Sequence, residues 1–518
     1  MQNYEQSLEY CQQCLTLAQT VNDNFLIAYY GYFLQGRALI QLRQQNKAKI
    51  FFRKAYQLFW EMGDQQQYLE EVRTELKNIA DNDLAEKKYS EVIKFYQQQF
   101  QFLQKLKDEE EQGQVLNYLG IIYRDMGEYQ QAIEVCSQML AIAKKIKNID
   151  MESWALFWLG MGYWLSMKQK VALKWFQKSL VITRNIEQSD LQRFTLNCIG
   201  DIYQGLGKHT EAIPYYTEEL SIIHQGDQSD DELKILYCLG ESYYATEQYQ
   251  QALDYYNKAI EIKSDDCGCW NGRAFTLRQL GRYEEAVASY DKAIELQPNN
   301  HYYWNAQGIA LQKLCRYKEA IAKYDKVIEI KADYDLAWNN RGSVFSDLEQ
   351  YEEAINNYDK ALEINPENSL AWYNRGIALS KQGKYLEEII SYDKALKIKP
   401  NYYQVWNDKA FILSNKLGCY SEAVDCCDKA IKIKSDYSLA WYNKACYLAL
   451  LGSVDSAIEH LKRAIELNPD QYIEMAKTDS DFEKIRENEW FQTNVGVTAI
   501  NLIIKVYKIF IFFKAKAA

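Results

Sequence analysis

Apolar and small residues recur with a fixed period along the second half of the chain. Trp270, Trp304, Trp338, Trp372, Trp406 and Trp441 are spaced 34, 34, 34, 34 and 35 residues apart. After Trp338 come Gly342, Phe345, Tyr351, Ala354, Tyr358, Ala361 and Pro366. After Trp372 come Gly376, Leu379, Tyr385, Tyr392, Ala395 and Pro400. Trp, Gly and Leu or Phe at i, i+4 and i+7 predict one apolar face of a first helix. Ala, Tyr and Ala at the same spacing predict the facing stripe of a second helix. The small residues let the two helices approach, and the proline stops the second one. Such a hairpin cannot bury its faces alone, so neighbours must stack.

The first half carries a longer period. Gly120, Gly160, Gly200 and Gly240 lie 40 apart, each followed by Tyr123, Tyr163, Tyr203 or Tyr243 and then by Ala132, Ala172, Ala212 or Ala252. The six extra residues predict a longer second helix and a longer connecting loop. Upstream, Ala80 with Tyr89 and Tyr96 forms one weaker unit, and Gly36 with Leu39, Ala48, Phe52 and Ala55 another. Residues 4–20 read as a lone second helix, so the array opens in mid-repeat. The total is about twelve hairpins and a half.

These residues resemble the tetratricopeptide repeat, whose 34-residue unit sets Trp, Gly, Tyr or Leu, Ala, Tyr or Phe, Ala and Pro at fixed positions. The first half is similar to the longer variant of kinesin-light-chain-like and bacterial regulatory proteins. The resemblance implies an all-α fold, an α-α superhelical solenoid. It divides the chain into 40-residue repeats over 1–266 and six 34/35-residue repeats over 267–471. A capping helix then spans 472–493, and an apolar, basic tail spans 494–518. Departures are local. Ala274, Ala410 and Ala445 replace the first-helix glycine, and one extra residue lies near Asn415–Gly418. Glu388 replaces an alanine and is expected to disturb the close contact of its hairpin. Pro214, early in a second helix, predicts a mild kink. Ser480 and Glu483 predict a capping box ahead of Phe482, Ile485, Trp490 and Phe491. In the tail, Thr498, Asn501, Lys505 and Lys508 share one helical face and the two lysines interrupt the apolar run, which fits an interfacial amphipathic helix better than a membrane-spanning one; a further packed helix, or a poorly constrained tail, is the alternative.

Composition follows from this architecture. Only 5 prolines occur in 518 residues, and four of them, Pro298, Pro366, Pro400 and Pro469, hold one repeat position. The 14% of aromatic residues is largely the repeat's own core. Net charge is −11, which argues against nucleic acid as a partner. Residues 1–266 hold 27 basic and 37 acidic residues, so the first half carries nearly all of the excess. The 12 cysteines, with no secretory pattern after Met1, predict free thiols and a cytoplasmic setting.

The family's first helices line a concave groove. Asn340, Asn374 and Asn443 stand two residues after their tryptophans, where some members carry an asparagine ladder for an extended peptide backbone. Asn339, Arg341, Tyr373 and Arg375 complete the candidate groove. The cations form a series, Arg273, Arg341, Arg375, Lys409 and Lys444, interrupted by Gln307. They suit a partly acidic peptide, but Asp291, Asp325, Asp359, Asp393 and Asp428 recur as internal partners. The family's carboxylate clamp is not matched: its Lys position holds Tyr302, Leu336 and Leu370, and its Asn position Ile309, Ser343 and Ile377.

Other chemistry is sparse. The tryptophans keep step with the hairpin glycines and read as core. Cys198 and Cys238 share one repeat position, and Cys11, Cys136 and Cys427 another, so they read as small apolar residues, not metal ligands. His209, His224, His301 and His460 are scattered. Gly207-Lys208 lacks the other residues of a phosphate loop. No catalytic residue, cofactor or metal is expected. The resemblance therefore implies a non-catalytic scaffold that binds extended segments of partner proteins. The alternative is a regulatory repeat region of a larger signalling enzyme, such as a kinase, protease or ATPase.

Overall fold

The computed structural model describes residues 2–85, 87–186, 188–223 and 230–495; the sequence expectations for the tail fall almost wholly outside them. Every regular element among the described residues is helical. The chain divides into two units, Met1–Tyr255 and Tyr256–Ala518, with the division inside the helix Tyr249–Ile262.

The first unit opens with the helix Gln2–Val21. A helical stretch from Asn24 to Gln41 follows, with a π turn over Ile27–Phe33 that sets Gly31 against Leu15. This stretch pairs with Gln45–Met62. Antiparallel hairpins follow: Gln66–Ala85 with Tyr89–Leu106, Glu109–Asp125 with Tyr129–Ile146, Ile149–Leu165 with Gln169–Asn185, and Ser189–Gly205 with His209–Ile222. Asp230–Ala245 precedes Tyr249–Ile262. In the second unit the first helices are Cys267–Gln279, His301–Lys313, Asp335–Asp347, Ser369–Lys381, Tyr403–Asn415 and Ser438–Leu450. Their partners are Tyr283–Leu296, Tyr317–Ile330, Tyr351–Ile364, Tyr385–Ile398, Tyr420–Ile433 and Val454–Leu467.

The tryptophans do more than fill space. Each is only partly buried, and its indole Nε1 donates to the backbone carbonyl six residues earlier. The acceptors are Ser264, Pro298, Ala332, Pro366, Pro400 and Ser435, at 2.8–3.1 Å. Proline suits this position because its nitrogen, lying past the helix end, needs no acceptor while its carbonyl receives the indole. Pro469 differs: it opens the helix Pro469–Thr478, capped by Asn468.

The long repeats correct one expectation. The first helices lengthen too: Glu109–Asp125 has 17 residues against 13 in Ser369–Lys381. The second helices reach 18 in Tyr129–Ile146 against 14 in Tyr385–Ile398. The link after Tyr129–Ile146 becomes shorter, not longer. Only Lys147 and Asn148 separate Ile146 from Ile149, whereas residues 297–300 join the corresponding helices of the second unit. With no proline to stop it, the helix runs on to a left-handed residue, Lys147, and Asn148 caps the next helix at once through Met151 N. Pro214 lies within a continuous helix, His209–Ile222.

Two further expectations change. Glu388 leaves its hairpin intact: the helices keep the usual 13 and 14 residues, and Gly376 still meets the Tyr392 ring. The region after Leu467 is not one capping helix. It comprises Pro469–Thr478, a 3-10 segment Ser480–Ile485 and Glu489–Asn494. Asp479, not Ser480, caps the middle segment, because its extended backbone places Oδ1 3.0 Å from Asp481 N. Phe482, Ile485, Phe491 and Val495 are buried in one cluster with Tyr442 and Tyr472.

Candidate functional site

The cationic series of the second unit is internally paired. Arg341 meets Asp325 at 3.0 Å, Arg375 meets Asp359 at 2.6 Å, and Lys444 meets Asp428 at 2.6 Å. Lys409 pairs with Asp393, and Gln307 donates to Asp291 at 2.6 Å. Each aspartate lies on the second helix preceding its partner. Most also reach forward to their own hairpin: Arg341 to Asn357, Arg375 to Ser391 and Lys444 to His460. Arg341, Arg375 and Lys444 thus tie three successive helices together, and their pairing with aspartates weighs against an acidic-peptide preference.

The asparagines join neighbouring first helices. Asn340 Nδ2 donates to Asn305 Oδ1, Asn374 Nδ2 to Asn339 Oδ1, and Asn443 Nδ2 to Asn407 Oδ1, each at 3.0 Å. Where Tyr373 replaces asparagine, its hydroxyl donates to Asp408 at 2.7 Å, and Tyr442 donates to Asp479 at 2.8 Å. For Trp304, Trp338, Trp372 and Trp406 the residue one after the tryptophan thus bonds to the residue two after the next, giving a line of polar rungs. Asn339 is 2% exposed, so it belongs to the inter-hairpin seam; Asn340, Asn374 and Asn443 are half-buried. Tyr302, Leu336 and Leu370 are exposed at the position four before Ala306, Asn340 and Asn374. They form an apolar lip beside the rungs.

The first unit holds concavities that the repeat pattern does not mark. One, of about 460 Å³, lies between Glu109–Asp125 and Ile149–Leu165 and is lined by Glu110, Asn117, Met139, Asp150, Trp154 and Trp158, among others. Trp154 and Trp158 stack with centroids 6.1 Å apart, and the Arg124 guanidinium lies 4.9 Å over the Trp158 ring. Asn117 Oδ1 and Trp158 Nε1 are buried without a hydrogen-bond partner. Glu110 also lines two adjoining concavities. The available sequence signal was a break in period: 40 residues after Trp158 stand Cys198 and then Cys238. A second signal was the helix Ile149–Leu165 itself, apolar on nearly every side.

Among the described residues one group could offer three metal ligands: Cys446, Asp479 and Asp481. Asp479 is already occupied, with Oδ1 capping Asp481 N and Oδ2 accepting from Tyr442. Burial raises the Cys446 thiol well above its ordinary range, which disfavours a thiolate ligand. No helix among the described residues is long and apolar enough to cross a membrane.

Stacked helix hairpins with a 34- or 40-residue period define an α-helical repeat array. Models of the tetratricopeptide repeat match residues 29–59, 116–149, 192–265, 269–300, 342–383, 370–402 and 438–471. The chain belongs to the tetratricopeptide repeat family. Residues 391–437 also match the model of anaphase-promoting complex subunit 5. No curated relative matches. Among solved structures, YrrB, described as a TPR protein with an unusual peptide-binding site, is 25% identical over 36% of this chain and 97% of its own, with a TM-score of 0.29. MamA from Desulfovibrio magneticus RS-1 is 20% identical over 33% and 96%, with a TM-score of 0.30. Yeast Tom70 is 15% identical over 83% and 100%, with a TM-score of 0.43.

Proposed function

We propose that the chain is a non-catalytic scaffold whose second unit holds extended peptide segments of partner proteins along its first helices. That it is a repeat scaffold for protein partners follows from its family; the groove and the absence of catalysis are our reading. The observation that carries it is the apolar lip beside the polar rungs. Leu336 with Asn340, and Leu370 with Asn374, lie one turn apart on the same helical face. The rungs spend the asparagine Nδ2 groups but leave Oδ1 of Asn374 and Asn443 as acceptors for a peptide N–H. Asn339, Tyr373, Arg341 and Arg375 shape and stiffen the wall. We place the protein in the cytoplasm on its thiol-rich composition.

Peptides selected from a random displayed library on the full chain test this reading. Leu336→Ser with Leu370→Ser should weaken the selected peptides by about tenfold, since two exposed leucines lose their buried area on the ligand. The helical circular dichroism should stay the same. Undiminished binding would sink the groove.

A further inference from the structure

We propose that two copies of the chain associate through an apolar stripe on the helix Gln2–Val21, packed antiparallel across a two-fold axis. The contact lies in the first unit and does not rest on the peptide groove of the second.

The stripe follows from the helical period. Leu8, Cys11, Leu15 and Ala18, at i, i+3, i+7 and i+10, form the side of Gln2–Val21 that is turned to the array, and Leu15 and Ala18 are buried there. Tyr10, Cys14, Leu17 and Val21, at i, i+4, i+7 and i+11, form a second line about 110° further round the helix. All four are exposed, and Tyr10, Leu17 and Val21 each keep 66–67% of their surface in solvent. The described residues of the array thus bury one apolar line and leave the other open. A spacing of four, three and four is that of a seam between two helices.

Charge selects a second copy as the occupant. In a two-fold contact a surface meets itself, so every charge near the axis faces its own like. With a net charge of −11, most faces of this chain repel their own copies. From Tyr10 to Asn22 there is no charged residue, in a chain where 25% are charged. The helix carries only two charges, Glu5 and Glu9, and the helical period sets both more than about 100° away from the stripe. Gln6, Gln13 and Thr20, which flank it, are exposed and uncharged. An acidic or basic partner finds no counter-charge on this face, whereas a second copy meets no repulsion.

Direction and register follow from side-chain size. Parallel packing pairs Tyr10 with Tyr10 and Cys14 with Cys14, large on large and small on small. Antiparallel packing sets Tyr10 against the partner's Val21 and Leu17 against the partner's Cys14, so each large side chain meets a smaller one in four apolar layers. The stripe and its flanks offer roughly 600 Å² per copy, at the lower edge of specific interfaces, so the dimer forms as concentration rises.

Sedimentation equilibrium of the reduced full chain, over about a hundredfold range of concentration, reads this directly. The mass should rise from that of one chain toward that of two. Leu17→Glu, at an exposed position, should hold the mass at one chain throughout. Thr16→Glu adds the same charge at an exposed position on the far side of the helix and should leave the rise unchanged, as should the paired Leu336→Ser and Leu370→Ser variant. The helical circular dichroism should be equal in all of them. A short bis-maleimide should link two copies through the exposed Cys14, and Cys14→Ala should lose the link while keeping the rise. Four results would overturn the dimer. They are the mass of one chain at every concentration, a rise that survives Leu17→Glu, an equal loss with Thr16→Glu, or a cross-link that is absent or that Cys14→Ala retains. A loss with the leucine pair would move the contact to the second unit and overturn it too.

Discussion

Glu388 occupies a position where neighbouring second helices bury Ala320, Ala354 and Ala423. It is 1% exposed, and Oε2 has no partner. Burial pushes its carboxyl up to about 7, aided by the charge of Asp408 and opposed by hydrogen bonds from Ser380 and Tyr392. The folded chain thus keeps a proton that the unfolded chain releases nearer 4.5. Stability from this group is present at low pH, falls as pH rises through that interval, and levels off above about 7. Glu111 and Glu219, each also raised to about 7 mainly by burial, act in the same direction. Glu388→Ala should therefore stabilise the second unit, by about 1–3 kcal/mol at pH 8, since it removes a buried, half-satisfied polar group. The gain should shrink at pH 5. Thermal unfolding at the two pH values checks this, and a gain that does not depend on pH would contradict the assignment.

At the scale of the helix pair, the close approach is a two-residue agreement. A Cβ at Gly376 would lie 2.5 Å from the Tyr392 ring, sixteen residues on. Where alanine stands in the glycine's place, the facing aromatic is usually smaller: Ala445 is matched by Leu461, and Ala410, with its one-residue insertion, by Cys427. Ala274 keeps Tyr290, so the rule tolerates an exception. Gly376→Ala should cost about 1–3 kcal/mol by overpacking. Adding Tyr392→Leu should recover part of the loss, giving a favourable coupling in a double-mutant cycle. Simple additivity would mean that the two side chains do not share this space.

This pairing also explains what the sequence disclosed. Hairpins were legible because Gly, Ala and Tyr mark contacts inside one repeat, while Trp and Pro mark the junction with the repeat before. Helix lengths in the first unit were less legible, because the absence of proline and the left-handed Lys147 act together at the helix end. The rungs were only half legible: Asn374 stood out, but its partner Asn339 lies 35 residues away, one place off the 34-residue register. The cavity around Trp158 was missed because its residues do not repeat, and a search for period passes over the positions that break it.

On the scale of a whole unit, stacked hairpins behave as a one-dimensional chain of nearest-neighbour interfaces. Two side chains next to each other cross the same interface by different means. Arg375 joins Asp359 at 2.6 Å and Ser391 at 2.9 Å, but Asp359 is 44% exposed and can rehydrate. Ser391 also keeps its bond to the Glu387 carbonyl. Arg375→Met should therefore cost only about 0–1 kcal/mol. Asn374→Leu removes no charge, yet it strips the donor from Asn339 Oδ1, which is buried at 2% exposure. It should cost more, about 1–3 kcal/mol. Because each hairpin touches only its neighbours, the lost protection should be confined to the helices on either side, Asp335–Asp347 through Tyr385–Ile398. Amide hydrogen exchange by mass spectrometry separates the possibilities. A larger loss for Arg375→Met would make the ion pairs the seam of the array. An even loss across all six hairpins would mean that the unit opens as one body instead of interface by interface.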